Sequence, residues 1–445
     1  MPEVDLSFCR SEFPALELSV DGRPVIFLDG PGGTQVPRRV VDRMVTYLTT
    51  QNANVHGAFL TSRATDRTIE EAREALADFL GASAEEIAFG QNMTTLNFAL
   101  ARAVGRRLGP GDEIVITELD HEGNRAPWLA LEEKGAVVKQ VRVDPATCTL
   151  DLDDLRAKLT PRTRVVAVGG ASNAVGTVND LGLIRSLIDE RAGGALFVVD
   201  AVHLAPHKPI DVRAIRCDFL LCSTYKFFGP HLGVLYGRKE VFERLETYKV
   251  RPQSDAVPFR IETGTLVHEG IAGAVEAVEF IAWVGRRTSA GGAGGPGEPA
   301  RGRSGSPAGS PERRRAVLAG MEAVDAHEQR LAAWFIGELE KMEGLKIYGP
   351  PKGHPRTPTI SFRLAGRTPE SIAEYLGSLG IFVGAGDFYA TTLIERLGLA
   401  GRPGPGGELI DHGVVRMGLA PYNTRAELER VLEALRAMPR GRRVG

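Results

Sequence analysis

Between residues 64 and 82, in ATDRTIEEAREALADFLGA, the positions Ile69, Ala72, Leu76 and Phe79 recur on one face at helical spacing. The pattern predicts a helix, with Asp66 or Thr68 capping its start. Beyond it, short apolar runs alternate with helical stretches. EIAFG at 86–90 reads as a strand and leads into an apolar helix from about residue 94. DEIVITEL is the next strand and NRAPWLALEEKG the next helix. AVVKQVRV, RVVAVGG, ALFVVDA and DFLLCST are further short β-branched runs, with helical patterns such as DLGLIRSLIDERAGG between several of them. Short apolar strands separated by helices predict an α/β fold whose mostly parallel sheet is covered on both faces.

The alternation stops at 289–310, SAGGAGGPGEPARGRSGSPAGS, which has too little apolar surface to repay ordering and reads as a disordered insertion. Helical periodicity resumes in RRRAVLAGMEAVDAHEQRLAAWFIGELEKM, and a smaller α/β region follows to the C-terminus. With 445 residues, two domains or one large domain with a satellite are expected. A formal charge of -2 gives no electrostatic case for nucleic acid or an anionic membrane surface. No run has the apolar length to span a bilayer, and the start MPEVDLSFCRSEF predicts no signal peptide. Cys9, Cys148, Cys217 and Cys222 show no metal-ligand spacing, so no metal is expected, and they suit a reducing cytoplasm.

Against this frame one stretch stands out. In LLCSTYKFFGP, Lys226 stands between aromatic rings where an apolar strand ends. Taken alone it reads as a solvated surface charge, because lysine is rarely buried without reason. Other strand ends change that reading. In ALFVVDAVHLAPH, Asp200 ends an apolar run and His203 follows; a cap or a metal ligand is the plain alternative. In FGQNMTTLNFAL, a strand-to-helix turn offers backbone N–H groups and the hydroxyls of Thr94 and Thr95 to a phosphate, or is only an N-cap. His121 in ITELDHEGNRAPW and Asn173 in GGASNAVGT each lie just past a strand, where single residues of these types are usually turn formers. Polar groups after several successive strands converge on one crevice at the sheet edge, which independent turns do not require. Pyridoxal phosphate uses all of them: an amine for its aldehyde, a carboxylate for its ring nitrogen, and a helix start with hydroxyls for its phosphate. A partly apolar seat would keep the Lys226 amine deprotonated and nucleophilic.

FLDGPGGTQVP, NANVHGAFLTSRATDRTIEEAR, ELDHEGNRAPW, GGASNAVGT, VVDAVHLAPH, STYKFFGP and VVRMGLAPYNT occur in this order. Together they resemble the class V aminotransferase superfamily, and within it the cysteine desulfurase-like proteins. The resemblance covers nearly the whole chain except the Gly/Pro insertion. It implies the type I fold of pyridoxal-phosphate enzymes, with a seven-stranded, mainly parallel sheet in the large domain. It divides the chain into an N-terminal arm (1–25) joining the small domain, a large cofactor-binding domain (26–287), the insertion (288–312) and a small C-terminal domain (313–445). It also implies a homodimer with the active site at the subunit boundary. By position, Lys226 would form the Schiff base and Asp200 would pair with the ring nitrogen. His121 would stack on the ring, His203 would lie beside it, and Asn173 would approach the ring hydroxyl. Asn92, Met93, Thr94, Ser223 and Tyr225 would hold the phosphate, with Thr265 reaching it from the other subunit. Arg416 would grip the substrate carboxylate, a fork-to-fork task suited to guanidinium, and His56 would join it in binding substrate.

The chain also departs from that pattern. Desulfurases carry a cysteine on a loop before the C-terminal arginine, whereas FVGAGDFYATTLIERLGL has Asp387, Phe388 and Tyr389 there and no cysteine. Tyr225 precedes the lysine where many desulfurases have histidine. The expectation is a pyridoxal-phosphate enzyme acting on an α-amino acid, with C–S cleavage that uses no loop persulfide. An aminotransferase or an epimerase shares every step up to loss of the α-proton. A non-catalytic scaffold is the rival from another class, and intact Lys226, Asp200 and Arg416 argue against it. The residues name no sulfur acceptor.

Overall fold

The computed structural model describes residues 5–289, 310–404 and 409–439. Of the Gly/Pro-rich insertion expected at 288–312, residues 290–309 lie outside the described ones, while its ends are helical: Thr288 and Ser289 close one helix, and Ser310 caps the next, which starts at Pro311. Helix α1 spans Arg38–Thr50 and α2 spans Leu60–Leu80, ended by Gly81 in the left-handed region at φ 75°. Neither Asp66 nor Thr68 caps α2, which begins at Leu60, more than two turns before its apolar stripe opens at Ile69; the cap position is Phe59, whose side chain makes no cap hydrogen bond. Asp66 instead accepts from the backbone N–H of His56, and the Thr68 hydroxyl donates to Ala64 within the helix. In the first turn Leu60–Arg63 the apolar Leu60 is exposed and the buried residue is Ser62, so apolar periodicity could not detect it.

The large sheet is built from β1 (Ile87–Gly90), β2 (Glu113–Thr117), β3 (Val137–Val141), β4 (Thr163–Gly169), β5 (Leu196–Asp200), β6 (Phe219–Ser223) and β7 (Gly233–Gly237). Its seven strands lie in the order β1-β7-β6-β5-β4-β2-β3. All neighbours are parallel except β7, which runs antiparallel to both β6 and β1. Both faces are covered, as near-continuous apolar strands require. Within β6, Leu220 and Cys222 enter one core while Phe219 and Leu221 enter the other. Helices α3 (Met93–Val104), α4 (Glu122–Leu129) and α5 (Leu181–Arg191) connect strands of this sheet.

Helices α6 (His268–Ser289) and α7 (Pro311–Leu339) form an antiparallel pair. Their backbones touch at Gly285 and Gly320: a Cβ on Gly285 would lie 1.9 Å from the Ala316 carbonyl oxygen. Val317, Met321 and Val324 of α7 pack in the large core, whereas Leu331, Phe335 and Leu339 pack in the small one. That second core lies under an antiparallel sheet of β8 (Leu345–Tyr348), β9 (Thr359–Leu364), β10 (Gly384–Gly386) and β11 (Val414–Gly418), in the order β8-β9-β11-β10. Helices α8 (Pro369–Ser378) and α9 (Arg425–Ala437) add Ile372, Leu376, Leu428 and Val431 to it. Ile26 and Leu28 also join this core, whereas Leu6, Cys9, Phe13 and Val25 of the preceding segment pack in the large one. Among the described residues no helix is long and apolar enough to cross a membrane.

Candidate active site

The carboxyl ends of β2, β4, β5 and β6 open into a cavity of about 750 Å³, with β11 facing them from the small sheet. Asn92, Met93, Thr94, His121, Asn173, Asp200, His203, Ser223, Tyr225, Lys226 and Arg416 all line it. The strand ends thus bring together these eleven residues singled out from sequence, and Thr95, singled out with Thr94, lines the cavity too.

Lys226 lies in a short turn after β6. Its Nζ donates to the carbonyl oxygens of Pro31 at 2.6 Å and Gly32 at 3.0 Å. Burial, followed by the charge of Arg416, lowers the ammonium pKa to about 7. Asp200 ends β5 and accepts from Val202 N–H at 2.9 Å. Burial is the main cause that raises its pKa to about 7, and the charge of Asp120 adds to it. Asp120 lines the same cavity, accepting from Gly169 N–H and from the Asn124 side-chain amide. Burial raises it to about 6.

His121 caps α4: its Nδ1 accepts from Gly123 N–H at 2.8 Å, so the neutral ring carries its proton on Nε2. Burial, then Lys226 and Arg416, lowers its pKa to about 4. His203 Nε2 lies 2.7 Å from the Thr359 hydroxyl, and burial holds this ring neutral as well. At the other end of the cavity, the Met93 N–H at the start of α3 donates to the Ser223 hydroxyl at 3.0 Å. Asn92 caps that helix, and its Oδ1 takes both the N–H and the hydroxyl of Thr95. The Thr95 groups expected to meet a phosphate are therefore already engaged. Tyr225 stacks on His231, ring centroids 4.8 Å apart.

Arg416, on β11, is 6% exposed and donates through Nη1 to the Asn173 carbonyl at 2.9 Å. The Asn173 side-chain amide donates to the Phe388 carbonyl at 2.8 Å. Asn173 Oδ1 is buried and finds no hydrogen-bond partner among the described residues. A buried acceptor of this kind calls for a donor, and a ring hydroxyl would provide one. Asp200 calls for a cationic partner to hold its charge in a buried place. The donor set therefore fits pyridoxal phosphate: amine, carboxylate, amide oxygen, and a helix start with Ser223 beside it.

His56 and Thr265 do not reach this cavity. They line a separate groove with Asp66, Glu70 and Phe259 of the same chain. The His56 side chain is 80% exposed and lies 3.5 Å from Asp66. Conversely, Asp120, His231 and Phe388 line the cavity without having been singled out for it. Only the adjacency of Asp120 to His121 in ELDHEG offered a signal. None of the four cysteines lines the cavity, and all four are buried. Burial raises every one of their thiol pKa values, that of Cys148 to about 11.

A mainly parallel seven-stranded sheet, with lysine, aspartate and histidine at its strand ends and an arginine facing them, is the architecture of type I pyridoxal-phosphate enzymes. Within that class the chain belongs to the aminotransferase class-V family, a pyridoxal-phosphate-dependent family whose model matches residues 26–290 and 316–431. It is 32% identical over 454 aligned positions to the protein of Mycolicibacterium paratuberculosis named "Probable cysteine desulfurase". That alignment covers 98% of this chain and 58% of the relative, so the chain spans less than two thirds of that relative's length. It is 29% identical to a cysteine desulfurase of Pectobacterium atrosepticum, covering 97% of each. Among solved structures, the apo cysteine desulfurase of Thermococcus onnurineus superposes with a TM-score of 0.76 at 27% identity, covering 92% of this chain and 94% of that one. The cysteine desulfurase CsdA of Escherichia coli gives 0.76 at 25% identity, covering 97% and 98%.

Proposed function

We propose that this chain binds pyridoxal phosphate and cleaves the C–S bond of a cysteine-like α-amino acid without passing the sulfur to a cysteine of its own. One observation carries the reading: the cavity holds an amine, a carboxylate and a guanidinium but no thiol. Relatives named cysteine desulfurase support the substrate class.

When bound, the cofactor supplies an electron sink for the electron pair left at Cα. The chain's own residues do the rest. Lys226, its pKa lowered to about 7, would hold the cofactor's aldehyde, and its free amine is the group placed to take the Cα proton of the substrate. Asp200 would keep the proton on the ring nitrogen, and Asn173 Oδ1 would accept from the ring hydroxyl. Asn92, Met93, Thr94, Ser223 and Tyr225 would hold the phosphate. His121 and His203, both neutral, would stack on and flank the ring without adding charge. Arg416 receives the α-carboxylate, which fixes the Cα–H bond toward Lys226. With cysteine as substrate, loss of the Cα proton and the sulfur leaving group, then hydrolysis with one water, gives pyruvate, ammonia and hydrogen sulfide.

The same reading includes a homodimer. His56 and Thr265 lie in a groove away from Lys226 in their own chain, so they would serve a neighbour's cavity. Val45, Leu48, Phe59 and Leu60 nearby in sequence are exposed apolar residues on α1 and at the start of α2, surface suited to burial against a second copy. Four free cysteines suit the reducing cytoplasm.

The test is to purify the protein with cofactor, reduce it with borohydride and map the modified peptide. Pyridoxyl label on Lys226 and loss of the cofactor's absorption band on adding cysteine are expected. Label elsewhere, or stoichiometric alanine as product, overturns the reading.

A further inference from the structure

Gly384 on β10 pairs in register with Arg416 on β11. A Cβ at Gly384 would lie 2.7 Å from the ring of Phe388, so only glycine leaves room for that ring. The Phe388 ring then sits on the Arg416 guanidinium, 3.7 Å from its Cζ to the ring centroid. Arg416 Nη1 donates to the Asn173 carbonyl, and the Asn173 amide donates back to the Phe388 carbonyl. Three residues from three segments thus close a ring of contacts.

The loop that carries Phe388 is tied down on both sides. Phe388 and Tyr389 both take left-handed backbone angles, φ 56° and 57°, which residues with side chains seldom adopt. Asp387 holds that turn, accepting from Tyr389 N–H at 3.0 Å and from the Thr391 hydroxyl at 2.7 Å. The Tyr389 carbonyl accepts from Glu122 N–H at 2.7 Å, one residue after His121.

We propose that Phe388 is the positioning residue for Arg416, and that through it the site demands a free α-carboxylate on its substrate; this rests on the role given to Arg416 above. A ring stacked on the guanidinium face holds the plane in place and keeps water from that face. It uses none of the in-plane N–H donors, so the edge that Asn173 leaves free stays available for a carboxylate. Burial lowers the Arg416 pKa to about 9, in keeping with a cation held away from water.

The experiment compares L-alanine with ethylamine as probes of the holoenzyme, reading the cofactor absorbance for binding. Phe388→Ala should bind cofactor as the wild type does, while the preference for L-alanine over ethylamine falls about tenfold. With cysteine as substrate, the loss should appear in KM more than in kcat. Phe388→Tyr, which keeps the ring, should restore the preference. Phe388→Leu, which keeps bulk without the π face, should behave as Phe388→Ala and replaces it if that variant loses cofactor. A second arm uses the protein without cofactor: Arg416→Lys should raise hydrogen exchange at 386–391 and leave β5 unchanged. An unchanged preference in Phe388→Ala and Phe388→Leu, an equal loss for both probes, or unaltered loop exchange overturns the proposal. Failure of the wild type to bind cofactor would instead overturn the assigned function, and the exchange arm would still be read on its own.

Discussion

The Nζ of Lys226 donates a 2.6 Å hydrogen bond to the carbonyl oxygen of Pro31. Two carbonyl oxygens and no carboxylate partner leave the ammonium poorly stabilised, in keeping with a pKa lowered from 10.5 to about 7. In the unfolded chain the same lysine stays protonated to about pH 10.4. Between the two values the unfolded state binds more protons, so stability rises with pH. The favourable contribution is complete above the unfolded pKa and is lost as pH falls through about 7. Thermal melts of cofactor-free protein should show the wild type losing stability relative to Lys226→Met between pH 10 and pH 7. Parallel pH profiles for the two proteins would refute the shift.

Asp200→Asn removes the charge that would hold the ring-nitrogen proton. The amide keeps the shape of the side chain, so the cofactor should still bind. Exchange of the substrate α-proton with deuterated solvent should slow by orders of magnitude. Unchanged exchange would assign the electron sink to another group, and Asp120, also buried in the cavity, is the first to examine.

Replacing Cys9, Cys148, Cys217 and Cys222 together by alanine or serine should leave the products from cysteine as sulfide, pyruvate and ammonia. Every thiol is buried and pushed toward its protonated form, which removes the nucleophile that persulfide formation needs. Alanine from the wild type that disappears in the cysteine-free protein would restore a persulfide route. Cofactor binding of the variant, followed by absorbance, guards against reading misfolding as chemistry.

The contact between α6 and α7 separates two effects of mutation. Gly285→Val forces a side chain against the Ala316 backbone and should lower the melting temperature by several degrees. Replacing residues 290–309 with a short Gly/Ser link should leave the melt and the activity nearly unchanged, because loop length costs little in closure entropy. A large loss on excision would show that the segment packs on the rest of the chain.

The parallel strands were legible because each is a short apolar run bounded by turn residues, and their ends marked the cavity. Lys226, Asp200, His121 and Asn173 could be found for that reason. Strand β7, GVLYG, escaped notice: three apolar residues between glycines look like a turn until β1 and β6 flank them. The role of Phe388 was invisible for a different reason. It depends on the pairing of Gly384 with Arg416 and on left-handed backbone angles that periodicity does not encode. Thr265 was expected to reach the site from the other subunit, and within one chain it and His56 share a different groove, since no strand end carries them toward their own Lys226.

Sealed thiols give the molecule a set of internal clocks. Cys9 lies in the N-terminal segment, Cys148 in a turn at φ 53°, Cys217 just before β6 and Cys222 within that strand. A maleimide can label each only when its own neighbourhood opens. Residue-resolved labelling rates on the native protein will therefore rank how readily these regions come apart, with no engineered probe.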